Sequence, residues 1–173
     1  MGRRTPAAGS GGVRRTDAEP EWLDDTELHV WRRFQRMRTQ FATALRVTMQ
    51  LDSDLPLPDF EVLAVLSDAE GGELRARDLR FELQWEKSRL AHRVKALEER
   101  GLVQRSECPD DPRAPIVRMT EAGRQAIAAA APAHVDRVRD LVFDPLTKKQ
   151  QQALLEISEA IMGRLAERGL NEP

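Results

Sequence analysis

Apolar positions recur at helical spacing through most of the chain. From about Asp25 to Leu51, Val30, Phe34, Met37, Phe41 and Ala44 follow at intervals of four and three, one stripe on a long helix. Arg32, Arg33, Arg36 and Arg38 lie off that stripe. Leu55-Pro56-Leu57-Pro58 breaks the pattern, because each proline biases its predecessor away from helical backbone. A second helix starts with Pro58 in its first turn, carries Phe60, Leu63 and Leu66, and stops at Gly71-Gly72. Two short helices then follow closely. Ala76 to Leu83 directs Leu79 and Leu83 inward, and about Glu86 to Arg100 carries Leu90, Val94 and Leu97, with Gly101 as the C-terminal stop. Two helices joined by a tight turn predict a helix-turn-helix unit.

Behind Gly101 the period changes. Leu102-Val103-Gln104-Arg105 and Ile116-Val117-Arg118-Met119 have strand character, and Glu107 to Arg113 between them is turn-rich and charged, which predicts a β-hairpin wing. Thr120 is placed to N-cap a helix reaching about Val142, kinked near Pro132. Thr147 and Gln150 form a capping box for a last helix through Leu154, Leu155, Ile157, Ile161, Met162 and Leu165, ended by Gly169. The predicted fold is mainly α, an α+β winged helix-turn-helix with six helices and a two-stranded wing. Residues 53–119 are expected to form the winged lobe, with helical regions over residues 21–52 and 120–170 that the resemblance given below implies are for dimerisation.

Composition narrows the function classes. With 173 residues, 40% hydrophobic and 32% charged, the chain can bury a core unaided. No apolar run reaches the roughly 20 residues of a membrane helix, and the Gly/Ala/Pro-rich start lacks the apolar segment of a signal peptide. A single cysteine, Cys108, excludes an internal disulfide framework and fits a reducing compartment, so a cytoplasmic protein without membrane association is expected. Residues 1–20, with Arg3-Arg4 and Arg14-Arg15, can bury no face and are expected to be a disordered basic arm, either without function or touching DNA phosphate. The net charge of -2 does not announce a nucleic-acid binder, although Glu73 to Arg118 holds eleven Lys/Arg against nine Asp/Glu.

Two motifs carry a family resemblance. Leu97-Glu98-Glu99-Arg100-Gly101-Leu102-Val103 is similar to the Leu-Glu-x-x-Gly-Leu-Val that ends the recognition helix of MarR-family regulators. Asp111-Pro112-Arg113, followed by Met119-Thr120-Glu121-Ala122-Gly123, resembles that family's wing, Asp-x-Arg and then Leu-Thr-x-x-Gly, with Met119 in place of the leucine. The resemblance covers roughly Leu23 to Arg168. It implies a homodimer interlocked through its first, fifth and sixth helices. It also implies transcriptional regulation that a small aromatic or anionic effector commonly relieves.

The recognition helix carries the expected chemistry. Opposite Leu90, Val94 and Leu97 stand Ser88, His92 and Lys95, flanked by Arg89, donors and acceptors suited to base edges in a major groove. Its N-terminal part does most of the reading in such modules, which favours Lys87, Ser88, Arg89 and His92, with Arg93 beside them. Arg75, Arg77 and Gln84 are candidate phosphate contacts. Arg113 at the wing is suited to a minor groove, and the resemblance implies that Asp111 holds its guanidinium. Trp85 is read as packing against the third helix rather than stacking on a base. An effector pocket is expected where the first and second helices meet the winged lobe, lined by Trp31, Phe34, Met37 and Phe60.

Catalysis finds no support. His29, His92 and His134 share no metal-ligand spacing, and no phosphate-cradling glycine loop or nucleophile motif is present, so neither an enzyme nor a metal or cofactor is expected. Cys108 sits between Glu107 and Asp110, which disfavour a thiolate, and is read as passive. Two readings result. One is a dimeric repressor binding double-stranded DNA at an inverted-repeat operator; the other is a winged-helix module that grips a protein partner. The polar, basic face from Lys87 to His92 favours the first.

Overall fold

The computed structural model describes residues 21–52, 54–108 and 111–170; the expected basic arm, residues 1–20, lies outside them. Two compact units divide the chain, Met1–Arg36 and Met37–Pro173.

In the first unit, Asp24 and Glu27 open helix α1 (Asp25–Asp52) with a reciprocal cap. The Glu27 amide donates to Asp24 Oδ1 at 2.8 Å and the Asp24 amide to Glu27 Oε2 at 2.9 Å. Trp31 and Phe34, one turn apart, stack at 6.1 Å between ring centroids, and both are exposed.

In the second unit, α2 (Leu57–Asp68) starts behind Pro56 and tolerates Pro58 in its first turn, where no amide proton is needed. A single turn of 3-10 helix (Glu70–Gly72) leads to strand β1 (Glu73–Arg75), helix α3 (Ala76–Leu83) and helix α4 (Lys87–Glu99). Strands β2 (Val103–Cys108) and β3 (Asp111–Met119) form the wing. Helix α5 (Glu121–Val138) contains Pro132 and is followed by a π-helical turn over Arg139–Phe143. Helix α6 (Lys148–Glu167) opens on the expected box of Thr147 and Gln150.

The sheet has three strands in the order β1-β3-β2, all antiparallel. Sequence reading gives no β1, because three residues are too short for an alternating pattern. Arg118 of β3 nevertheless pairs in register with Glu73 of β1, and their side chains form an ion pair. The wing is also longer than expected, since pairing continues past a bulge between Ser106 and Cys108 to Cys108 opposite Asp111. Pro112 and Pro115 fit inside β3 because β1 flanks only Ile116, Val117 and Arg118, so there is no second ladder at the prolines to interrupt.

Val62, Leu63 and Leu66 of α2, Leu79 of α3, Leu97 of α4, and Val103 and Val117 of the wing are fully buried and tie the three helices to the sheet. Two backbone junctions fix the wing on this core. At the end of α4, Gly101 takes φ +72°, a region unfavourable to other residues, so that its amide bonds the Glu98 carbonyl at 2.9 Å and the Leu102 amide the Leu97 carbonyl at 2.9 Å. At the start of α5, the Thr120 hydroxyl donates to the Gly101 carbonyl at 2.7 Å and accepts from the Gly123 amide at 3.1 Å, while the Thr120 amide donates to the Leu102 carbonyl at 3.0 Å. The Leu-Glu-x-x-Gly-Leu-Val and Thr-x-x-Gly segments are thus two halves of one joint.

Candidate nucleic-acid interface

Helix α4 presents four faces. Leu90, Val94 and Leu97 are buried. Ser88, His92 and Lys95, on the opposite side, are exposed, as the sequence pattern predicts. One flank faces α2. There Arg93 Nη1 donates to Asp59 Oδ1 at 3.3 Å and Arg100 Nη1 to Asp59 Oδ2 at 2.8 Å, with Asp59 only 2% exposed. Arg89 begins this flank, its guanidinium 3.9 Å from the centroid of the Trp85 ring, a cation–π contact. The other flank faces the wing. Glu98 accepts from Arg105 Nε at 2.9 Å, and the Arg105 hydrogen bond holds the Glu98 carboxyl below its usual pKa.

Between α3, α4 and the wing lies a cavity of about 410 Å³. Its floor is apolar, from Leu90, Val94 and Val117, and Arg77, Arg80, Lys87 and Arg105 place four cationic side chains along its lining. The first turn of α4 has no side-chain cap, because Glu86 at the N-cap makes no such bond. The amides of a helix's first turn have no partner within the helix itself, and a phosphate at a helix N-terminus is an acceptor suited to them.

The remaining expected residues divide. Trp85 is buried, 5% exposed, in the packing role anticipated for it. Arg75 sits in β1 opposite Ile116. Arg77 is exposed and paired with Asp78 at 3.0 Å. Gln84 has a structural role, taking φ +52° to close α3, and its side-chain amide donates to the Phe81 carbonyl at 2.8 Å. Asp111 and Arg113 belong to β3 rather than to a loop, and their side chains lie outside the described ones.

The residues expected to line an effector pocket fall in both units, Trp31 and Phe34 in the first and Met37 and Phe60 in the second. Trp31 and Phe34 stack on each other, Met37 is exposed, and Phe60 is buried with its ring 4.5 Å from that of His134. Burial holds the His134 imidazole below its usual pKa. A cavity of about 260 Å³ does open between α1 and α2, but Thr43, Arg46, Leu57, Pro58, Glu61 and Arg89 line it, together with Ala42. Burial raises the Glu61 carboxyl pKa, opposed by the positive charge of Arg89.

Sequence reasoning missed Asp59, Arg100 and the Glu98–Arg105 pair. An acid in the first turn of a helix is ordinarily explained by the helix dipole, which hides the burial of Asp59. The available signal was the seven-residue spacing of Arg93 and Arg100, two turns apart on one flank. Among the described residues, no group of three or more His, Cys, Asp or Glu could hold a metal ion, and no helix is long and apolar enough to cross a membrane.

A helix-turn-helix whose second helix exposes a polar face, followed by a wing, defines a winged-helix DNA-binding protein. Comparison with known proteins agrees. The family model described as MarR family matches residues 53–114. The structure of Sco3205, a MarR family transcriptional regulator from Streptomyces coelicolor in complex with DNA, is 35% identical, covers 86% of this chain and 93% of its own, and superposes with a TM-score of 0.80. AbsC, a MarR family transcriptional regulator from the same organism, is 31% identical over 86% of this chain and 99% of its own, with a TM-score of 0.79. A mutant of MarR from E. coli, complexed with operator DNA, shares the fold at 18% identity, over 82% of this chain and 99% of its own, with a TM-score of 0.68. No curated protein sequence matches significantly. The chain belongs to the MarR family and is a DNA-binding transcriptional regulator.

Proposed function

We propose that the protein is a cytoplasmic repressor that binds an inverted-repeat operator as a homodimer, without a catalytic step, and that a small aromatic or anionic effector relieves it. The observation that carries the DNA reading is the exposed, polar outer face of α4, Ser88, His92 and Lys95, beside an uncapped helix start and a cation-lined groove. A protein-interaction module would expose apolar side chains on that face. Ser88 and His92 are assigned to base edges. Lys87, Arg77 and Arg89 are assigned to phosphate, and Arg113 to a minor groove. Arg89 takes the phosphate role because it leans toward Trp85 and Glu61 on the flank. The effector is placed in the 260 Å³ cavity, where Arg46 and Arg89 supply positive charge.

Binding titrations against a panel of single-base operator variants test these roles. His92→Ala removes a major-groove contact and is expected to weaken operator binding by about 1–3 kcal/mol, relaxing preference at one position per half-site. Arg113→Ala is expected to weaken all A·T-rich flanks together and to lower the salt slope, leaving the half-site consensus intact. An Arg113→Ala variant with unchanged affinity and salt slope would remove the wing from the interface.

A further inference from the structure

We infer that Asp59 is the positioning residue of the recognition helix, fixing its rotation and its slide along α2 and thereby its discrimination between DNA sequences; this rests on the DNA-binding reading above. The buried carboxylate uses both oxygens on α4, Oδ1 for Arg93 in mid-helix and Oδ2 for Arg100 at the C-cap. Those residues are two helical turns apart, so two anchor points lie along one line of the helix and meet a single carboxylate. A rotation of α4 by one residue, about 100°, would carry both guanidiniums off the acid together. Arg100 is anchored a second time, its Nη2 donating at 3.1 Å to the carbonyl of Asp54, ahead of α2. The apolar line of Leu90, Val94 and Leu97 resists separation of the helices, but apolar packing is non-directional and tolerates small rotations. The ion pairs supply the direction. Ser88 and His92, on the same helix, are aimed by this constraint, and a displacement of about 1 Å is enough to spoil base-edge hydrogen bonds. Arg93, a candidate DNA contact from sequence, belongs to this clamp.

The test uses the full-length protein and a duplex selected by the wild type from a random library, with a scrambled duplex as reference and concentrations normalised to folded protein by stoichiometric titration. Asp59→Asn keeps the shape and removes the charge. It is expected to reduce the ratio of selected to scrambled affinity at least about tenfold, with affinity for the scrambled duplex and the salt slope unchanged. A variant that was merely less stable would show the wild-type ratio after normalisation. Arg93→Gln, which leaves the Arg100–Asp59 pair in place, is expected to lower the ratio in the same way and carries the test if Asp59→Asn does not fold. Wild-type ratios in the folded variants would overturn the assignment. So would an Arg93→Gln protein that loses affinity for both duplexes equally with a salt slope lower by about one, since that is the signature of a phosphate contact. A wild type that selects no sequence would instead overturn the DNA reading itself.

Discussion

Among the described glycines, Gly123 is the one at which an added methyl group is expected to collide most severely, so Gly123→Ala should be strongly destabilising. A Cβ on Gly123 would lie 2.2 Å from the carbonyl oxygen of Leu102 and 2.8 Å from Cγ of Met119. The first neighbour is backbone and cannot step aside alone. Moving it strains the Thr120 amide bond to the same carbonyl and the Thr120 hydroxyl bond to Gly101. Overpacking of this kind costs about 1–3 kcal/mol, and each disturbed hydrogen bond about 0.5–1.5 kcal/mol more. Alanine's better helix propensity returns at most about 1 kcal/mol, so the collision wins. Urea denaturation at fixed protein concentration should show a loss of about 1–5 kcal/mol. A midpoint equal to the wild type would mean that the wing and α5 are not joined as described.

The second large effect concerns α6. Leu154, Leu155, Ile157, Ile161, Met162 and Leu165 are all exposed, and the helix has no buried residue. Full burial of a large aliphatic side chain is worth about 1.5–3 kcal/mol, so six of them left in water are a strong drive toward a second copy. Sedimentation is expected to show a dimer at micromolar concentration. Leu155→Asp combined with Ile161→Asp should abolish the dimer, leaving an unfolded or aggregating chain. A wild type that sediments as a folded monomer at that concentration would contradict the proposed assembly.

Most of the helices were legible because their ends are written in local chemistry. Thr120, Thr147, Gly101 and Gly169 cap or close helices where the residue pattern places them. The strand β1 was not legible, because its existence depends on β3 rather than on its own three residues. The wing's length was obscured by prolines that only the tertiary pairing explains. At the interface, the helical period separated the buried line from the outer face, which holds for Ser88, His92 and Lys95. It could not show what lies against each flank. The period alone does not show that Arg89 lies over the Trp85 ring or that Arg93 pairs with Asp59. A periodic pattern specifies direction around one helix; the occupants of that direction come from elsewhere in the chain.

The most direct test of the central claim is a titration of the wild-type protein on the duplex it selects from a random library, set against a scrambled duplex and repeated between about 50 and 200 mM salt. If the protein reads sequence through α4 while neutralising six or more phosphates, the selected duplex should bind far more tightly. Its affinity should fall by roughly 10³-fold across that range. Equal affinity for the two duplexes, or binding indifferent to salt, would contradict the account.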